Sequence, residues 1–392
     1  MQKRQPVWLS DQGFDLAAFR QLVEQTTNPA DYPLAAEVSK NIPIYDGDRL
    51  RNEIATEAGA AKLMEEFNHV FTSGPGIIAI KKGYDDIGVV DDVTDVLFGL
   101  IEEEEAQEGT SGDHFATAGS NSRLWNAHQK LAARNPALFI RYNANDLLRF
   151  IYQSWLGTGY QITAQVNVVR PGGGAQQAHR DYHMGIQTPA AMAATPAGQH
   201  ATVPLLTLQG AIAHVDVPIE AGPTRLLPFS QTYLSGYLAI LRDDFRSYFE
   251  ENFVQLELEK GDLLFFNPAV FHAAGDNRTE DVQRIVNLLQ VGSIYGRTME
   301  YVDRTTLTKQ IYPELLNQIK EASLSATEIE SVIAAASEAY PFPANLDNDA
   351  PIGPSGLTPA SQQEILRQAL NEGWEPDRLN SELDDLDARR FG

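Results

Sequence analysis

The stretch His179-Arg-Asp181-Tyr-His183 decides how this chain is read. Along an extended strand the side chains alternate, so His179, Asp181 and His183 point one way and Arg180 and Tyr182 the other. A histidine and an aspartate two residues apart can grip one metal ion from one side. A third ligand from another strand completes a facial triad and leaves the opposite face open, which suits a non-haem Fe(II) that binds a co-substrate and O2. His272 is the expected third ligand. It ends the apolar run Asp262-Leu-Leu-Phe-Phe-Asn-Pro-Ala-Val-Phe-His272, just before the turn Gly275-Asp-Asn277. Twelve residues later Arg284 opens the run Arg-Ile-Val-Asn-Leu-Leu-Gln-Val. Alternation places Arg284, Val286, Leu288 and Gln290 on one face. An inward guanidinium is costly unless it meets an anion, and it can hold a carboxylate through two parallel hydrogen bonds.

Outward from this stretch, residues 160–292 read as strands: Tyr160–Val169, Leu205–Val217, Phe253–Leu258, Asp262–Phe266 and Arg284–Val291. Turn residues separate them, at Pro171-Gly-Gly-Gly174, Gly222-Pro223, Gly261-Asp262 and Gly275-Asp-Asn277. Short strands with regular turns predict a sandwich or barrel. The Ala-, Pro- and Gly-rich stretch 187–204 reads as a long loop, equally a lid over the metal or a surface excursion. The first 150 or so residues read mainly helical, with Asp15 as an N-cap and Val93, Val96, Leu97, Leu100 and Ile101 as a helical stripe. Within them Gly76-Ile-Ile-Ala-Ile80 reads as a strand. After 293 helices return. Ser325 and Glu328 make a capping box, Thr358-Pro359 starts a further helix, and the charged last twenty residues are expected to be loosely ordered.

Composition excludes several functions. The chain has 392 residues, 43% of them hydrophobic, so it can bury a sizeable core. Thirty basic and 53 acidic residues leave a net charge of −23, a poor footprint for nucleic acid or an anionic membrane. There is no cysteine, which removes disulfides, thiolate metal sites and cysteine nucleophiles and fits a cytoplasmic location. No run approaches the ~18 apolar residues of a membrane helix.

Taken in order, Gly172-Gly173, His179-x-Asp181, Glu220-Ala-Gly-Pro-Thr-Arg-Leu-Leu-Pro228, Lys260-Gly-Asp-Leu-Leu-Phe-Phe266, His272 and Arg284 resemble the phytanoyl-CoA dioxygenase family over roughly residues 160–292. The resemblance implies a mainly β core with α: a double-stranded β-helix, or jelly-roll barrel, flanked by N- and C-terminal helices. It implies an Fe(II)- and 2-oxoglutarate-dependent oxygenase that uses O2, hydroxylates an unactivated C–H of a small organic substrate and releases succinate and CO2. His179, Asp181 and His272 would bind iron and Arg284 the distal carboxylate of 2-oxoglutarate. Gln165 and Asn167, on the strand before the motif, would line the co-substrate site. Related halogenases lack the carboxylate, so Asp181 favours hydroxylation. The family turn continues Pro-Gly-Ser-His, whereas this chain has Pro228-Phe-Ser-Gln231, and no metal ligand is lost by that change. The expected organisation is a mainly helical region at 1–159, the catalytic core at 160–292 and a helical extension at 293–392, packed as one compact unit.

Other readings compete. A cupin-like metal enzyme could use the same triad without 2-oxoglutarate, and a degenerate barrel could be a non-catalytic binding module. Arg278 rivals Arg284 as the anion binder but lies in a polar turn. His183, Tyr182, Met184 and Arg225 are candidates for the substrate pocket, with core or structural roles as their alternatives. The other histidines, at 69, 114, 128, 200 and 214, read as ordinary.

Overall fold

Two long strands with opposite faces of different character organise the molecule. The computed structural model describes residues 6–108, 121–181, 188–349 and 358–390. Its strands are β1 (Glu37–Ser39), β2 (Ile42–Asp46), β3 (Ile77–Lys81), β4 (Asn121–Leu124), β5 (Tyr160–Val169), β6 (Thr207–Ala213), β7 (Arg225–Leu227), β8 (Leu263–Phe266), β9 (Phe271–Ala273) and β10 (Arg284–Ser293). Eight form one sheet in the order β1-β2-β3-β8-β6-β10-β5-β4. β10 lies at its centre, antiparallel to β5 from Arg284↔Val169 to Ser293↔Tyr160 and to β6 from Val286↔Ala213 to Gly292↔Thr207.

Alternation divides this sheet into two faces. One carries Ile162, Ala164, Val166 and Val168 of β5 with Leu208, Ile212, Phe265, Leu289 and Val291. These pack into a single apolar cluster with N-terminal helix residues such as Phe67 and Phe150 and C-terminal ones such as Leu315 and Leu366. The other face carries Ile77, Ala211, Ala213, Leu264 and Val286, and meets Leu226 and Val270 of the facing layer. That layer is the pair β7–β9, extended by isolated bridges at His179↔His272, Leu226↔Val254 and Val217↔Leu258. The two layers form the jelly-roll core, with helices on the outside of the large sheet. Gly210 permits the close approach within that sheet: a Cβ there would lie 2.1 Å from the Phe265 ring.

Several expectations need correcting. The region before 160, besides its helices, supplies β1 to β4 to the same large sheet, of which the sequence predicts β3 alone. Phe253–Leu258 forms only the two bridges at Val254 and Leu258 instead of a strand. The helix expected from Thr358-Pro359 starts about one turn later, with Ser361 and Glu364 as its capping box. The charged C-terminal stretch is a helix, Pro376–Arg390, because Leu379, Leu383 and Leu386 recur at helical spacing and are buried in the main cluster. The lid candidate 187–204 holds short helices at Pro189–Ala193 and Ala197–His200. Met192, Ala197 and Val203 pack with Leu9, Tyr237 and Leu238.

Two buried histidines give the fold a pH dependence. Burial pushes His128 down to about 3, with Arg304 adding to the effect, and His214 down to about 4. Thr94 donates its hydroxyl hydrogen to Val90 and therefore accepts from His214 Nδ1, while the Tyr142 hydroxyl donates to Nε2. Neutral His214 satisfies both contacts. Between pH 6.5 and about 4 the unfolded chain binds protons that the folded chain refuses, so stability falls as pH falls through this window. Each histidine contributes about 1.4 kcal/mol per pH unit. Urea unfolding of a His214→Gln variant is expected to show a pH slope smaller by that amount; an unchanged slope would contradict the assignment.

Candidate metal and co-substrate site

The triad is assembled by backbone pairing. His179 N–H donates to the His272 carbonyl at 3.0 Å, and His272 N–H donates to the His179 carbonyl at 3.1 Å. Residues that exchange both bonds sit directly opposite, with their side chains on the same side. Asp181 N–H then donates to the Pro268 carbonyl, continuing the pairing by one step. The ligand atoms of His179, Asp181 and His272 all lie within 4.8 Å of one another. Asp181 turns Oδ1 toward His179 Nε2 at 3.7 Å and Oδ2 toward His272 Nε2 at 3.8 Å.

The tautomers suit metal binding. His179 Nδ1 lies 2.9 Å from the Gln177 carbonyl, and His272 Nδ1 lies 2.9 Å from the Val270 carbonyl. A carbonyl only accepts, so each Nδ1 carries the hydrogen and each Nε2 presents a lone pair to the centre of the triad. Gln209 on β6 donates from Nε2 to Asp181 Oδ2, orienting the carboxylate from the facing sheet. His272 is buried against the Phe266 ring, whereas the His179 side chain is 38% exposed. This donor set of two imidazoles and one carboxylate, open on one side, fits a facial-triad iron.

Arg284 faces the same interior and is 5% exposed. Its Nη1 donates to the carbonyls of Ala221 at 3.3 Å and Gly275 at 3.2 Å. The Glu220-Ala-Gly-Pro-Thr-Arg turn is thus a seat for this guanidinium. Gly222 is required there: its φ is +72°, and a Cβ would lie 2.2 Å from the Asp276 carbonyl oxygen. Burial lowers the Arg284 guanidinium to about 10, partly offset by Asp276. Among the described residues no carboxylate bonds to it, so a buried cation faces the barrel interior with carbonyls as its hydrogen-bond partners. An anion bound in this interior would supply the missing counter-charge. The rival Arg278 is exposed in its turn.

Gln165 and Asn167 are buried on the inward face of β5, and Gln165 Oε1 accepts from Arg123 Nη1 at 2.8 Å. Arg123 lies opposite Asn167 on β4. It is a second inward guanidinium, two strand spacings from β10, and it does not figure in the sequence reading. Its only sequence signal is the alternation in Asn121-Ser-Arg-Leu124, too short to stand out. Gln209 is likewise missed. Arg225 is placed structurally: it pairs with Glu250 at 2.6 Å, donates to the Gln176 carbonyl at 2.5 Å and packs its guanidinium 5.1 Å from the centre of the Phe253 ring. Tyr182, His183 and Met184 lie outside the described residues.

The chain matches the family model "Phytanoyl-CoA dioxygenase (PhyH)" over residues 76–286, more than half its length. It is 30% identical over 142 residues to "Dioxygenase trt7" of Aspergillus terreus. That match covers 36% of this chain and 42% of the relative, less than half of the relative's length. Among solved structures, it is similar to the non-heme alpha ketoglutarate dependent epimerase SnoN from nogalamycin biosynthesis, with 17% identity, a TM-score of 0.39, and coverage of 60% of this chain and 84% of that one. HygX from Streptomyces hygroscopicus, solved with nickel and 2-oxoglutarate bound, gives 13% identity, a TM-score of 0.41, and coverage of 58% and 86%. The family model starts at β3 and reaches into β10, and so takes in the whole triad, the turn beneath Arg284 and Arg284 itself. Fe(II) and 2-oxoglutarate are the cofactor and co-substrate of that family, and a match of this extent makes the chain a member of the phytanoyl-CoA dioxygenase family.

Proposed function

We propose that the protein hydroxylates an unactivated C–H bond of a small organic substrate, with His179, Asp181 and His272 holding the iron and Arg284 the distal carboxylate of 2-oxoglutarate. The observation that carries this reading is the common interior shared by the open triad and a buried guanidinium with no carboxylate bonded to it among the described residues. When bound, iron and 2-oxoglutarate supply an oxidant made from O2 that takes a hydrogen atom and returns a hydroxyl, while the co-substrate becomes succinate and CO2.

The chain's own residues supply position and surroundings. The two histidines offer fixed Nε2 lone pairs, and Gln209 holds the carboxylate of Asp181 in place. Arg284 and Arg123 stand on strands two spacings apart, about 10 Å, which matches a molecule with a carboxylate at each end. Gln165 holds Arg123 in that position. The apolar residues Val286 and Leu288 of β10 and Ala213 of β6, on the same sheet beside Arg284, keep water scarce there, which strengthens charge-assisted bonds in the pocket.

The test is a coupled assay. Supplied with Fe(II), 2-oxoglutarate and O2, the protein is expected to release succinate and CO2 and, with metabolite extracts as substrate, to yield products heavier by one oxygen atom. Oxygen insertion without succinate would instead support a cupin-like enzyme that dispenses with 2-oxoglutarate. Failure to bind Fe(II) at all would leave a binding module.

A further inference from the structure

Among the described residues of this strongly acidic chain, four large exposed apolar side chains lie on two neighbouring segments. Leu205, Tyr295, Met299 and Tyr301 are 56, 75, 51 and 84% exposed. They lie on two segments that touch each other: Ser293 N–H donates to the Leu206 carbonyl at 2.8 Å, and Gly296 lies against the Leu206 side chain. Val7 and Trp8, also exposed, lie against the short helices before β6: Trp8 bridges Pro196, and Ala197 N–H donates to the Val7 carbonyl. This rim sits where β6 begins and β10 ends. Moving inward along those strands, the next pairs on the barrel face are Thr207 with Gly292 and then Gln209 with Gln290. Gln209 touches the metal ligand Asp181. Leu205 ends a short 3-10 helix immediately before β6, and Gln209 is two residues into that strand, about 7 Å from its start.

The lining between rim and triad has a definite polarity. Gln209 Oε1 and Gln290 Oε1 are buried acceptors without a hydrogen-bond partner among the described residues, and the Glu300 carboxylate lies beside Gln165. Glu300 is 7% exposed and is held by the Asn126 N–H at one oxygen. Buried acceptors left open call for a donor such as a hydroxyl. A carboxylate in the lining and a net charge of −23 disfavour a polyanion.

We propose that the substrate is a neutral, lipophilic, hydroxyl-bearing molecule larger than the barrel interior, whose apolar body rests on the rim formed by Leu205, Tyr295, Met299 and Tyr301. This inference rests on the oxygenase reading and gives its substrate a chemical class. It separates the protein from one that acts on acyl-CoA, whose phosphates would meet this lining unfavourably.

The experiment uses the full chain loaded with Fe(II) and 2-oxoglutarate without O2, and Nile red as a neutral lipophilic probe. Nile red is expected to bind and to be displaced by testosterone, a neutral hydroxylated lipophile, but not by palmitoyl-CoA. Met299→Glu and Tyr301→Glu are each expected to weaken the probe about tenfold or more, the loss from one large apolar contact. Undiminished binding in both variants would overturn the proposal, as would displacement by palmitoyl-CoA alone. So would a dimer that Tyr301→Glu splits, because the rim would then serve a second copy of the chain. The absorption band of Fe(II) with 2-oxoglutarate reads the metal site independently. If the band fails to form, the oxygenase reading fails; if it forms and the probe results go the other way, only the substrate class is lost.

Discussion

Replacing His272 with alanine is expected to remove Fe(II) binding and to lower turnover by more than a hundredfold, while the protein stays folded. Loss of one of three ligands leaves two donors on neighbouring positions of a single strand, too few to hold the ion in place. Mutating a group that only orients a ligand already costs about 10- to 100-fold in affinity or activity, so removal of the ligand itself costs more. The fold survives because His272 contributes its backbone to the sheet, and alanine keeps both of its hydrogen bonds with His179. His179→Ala offers a second measurement at a half-exposed position, where packing losses are small. Anaerobic titration with Fe(II), together with circular dichroism, checks both parts. Full metal affinity in both variants would disprove the ligand assignment.

Arg284→Met is expected to raise the 2-oxoglutarate requirement about ten- to a hundredfold, the worth of charge-assisted bonds of roughly 1.5–3 kcal/mol, with little change in iron affinity. The effect on stability runs the other way. In the absence of co-substrate Arg284 is a buried cation bonded to two carbonyls, and burial already lowers its pKa to about 10. A methionine fills a similar volume without that desolvation cost, so the variant without ligands melts no lower than the parent. Added 2-oxoglutarate should raise the melting temperature of the parent and leave the variant almost unmoved. Equal stabilisation of both would place the co-substrate elsewhere, and a matching loss from Arg278→Met would move it to the exposed turn.

The triad was legible because its spacing is local and its order along the chain is fixed: alternation aligns His179 with Asp181, and His272 stands at a strand end. Arg284 was legible because a charge in an otherwise apolar run needs a reason. The turn Gly222-Pro-Thr-Arg could be quoted from the sequence, but its purpose could not. That Ala221 accepts a bond from Arg284 depends on packing between segments 63 residues apart. Arg123 and Gln209 were hidden for the same reason. Each acts through a partner on another strand, 42 residues away for Arg123 with Gln165 and 28 for Gln209 with Asp181. Four strands before residue 160 were mostly missed because three to five residues give too few alternations to count, and only Gly76–Ile80 had enough apolar character. The C-terminal helix was misread from its charge. Three leucines at the right spacing outweigh a solvated face of acids and arginines once a neighbouring helix covers them.

The reciprocal backbone bonds between His179 and His272 bear on how the protein acquires its metal. Two of the proposed ligands are set by main-chain pairing and the third lies one step along the same strand, so the cradle needs no ion to form. Loading is then a capture event between a finished receptor and a dissolved ion, without a folding step to wait for. A chelator is then expected to empty the site and fresh Fe(II) to refill it without denaturing the protein, with occupancy following the free iron around it. The supply of metal would thereby act as a throttle on the proposed reaction, set from outside the chain.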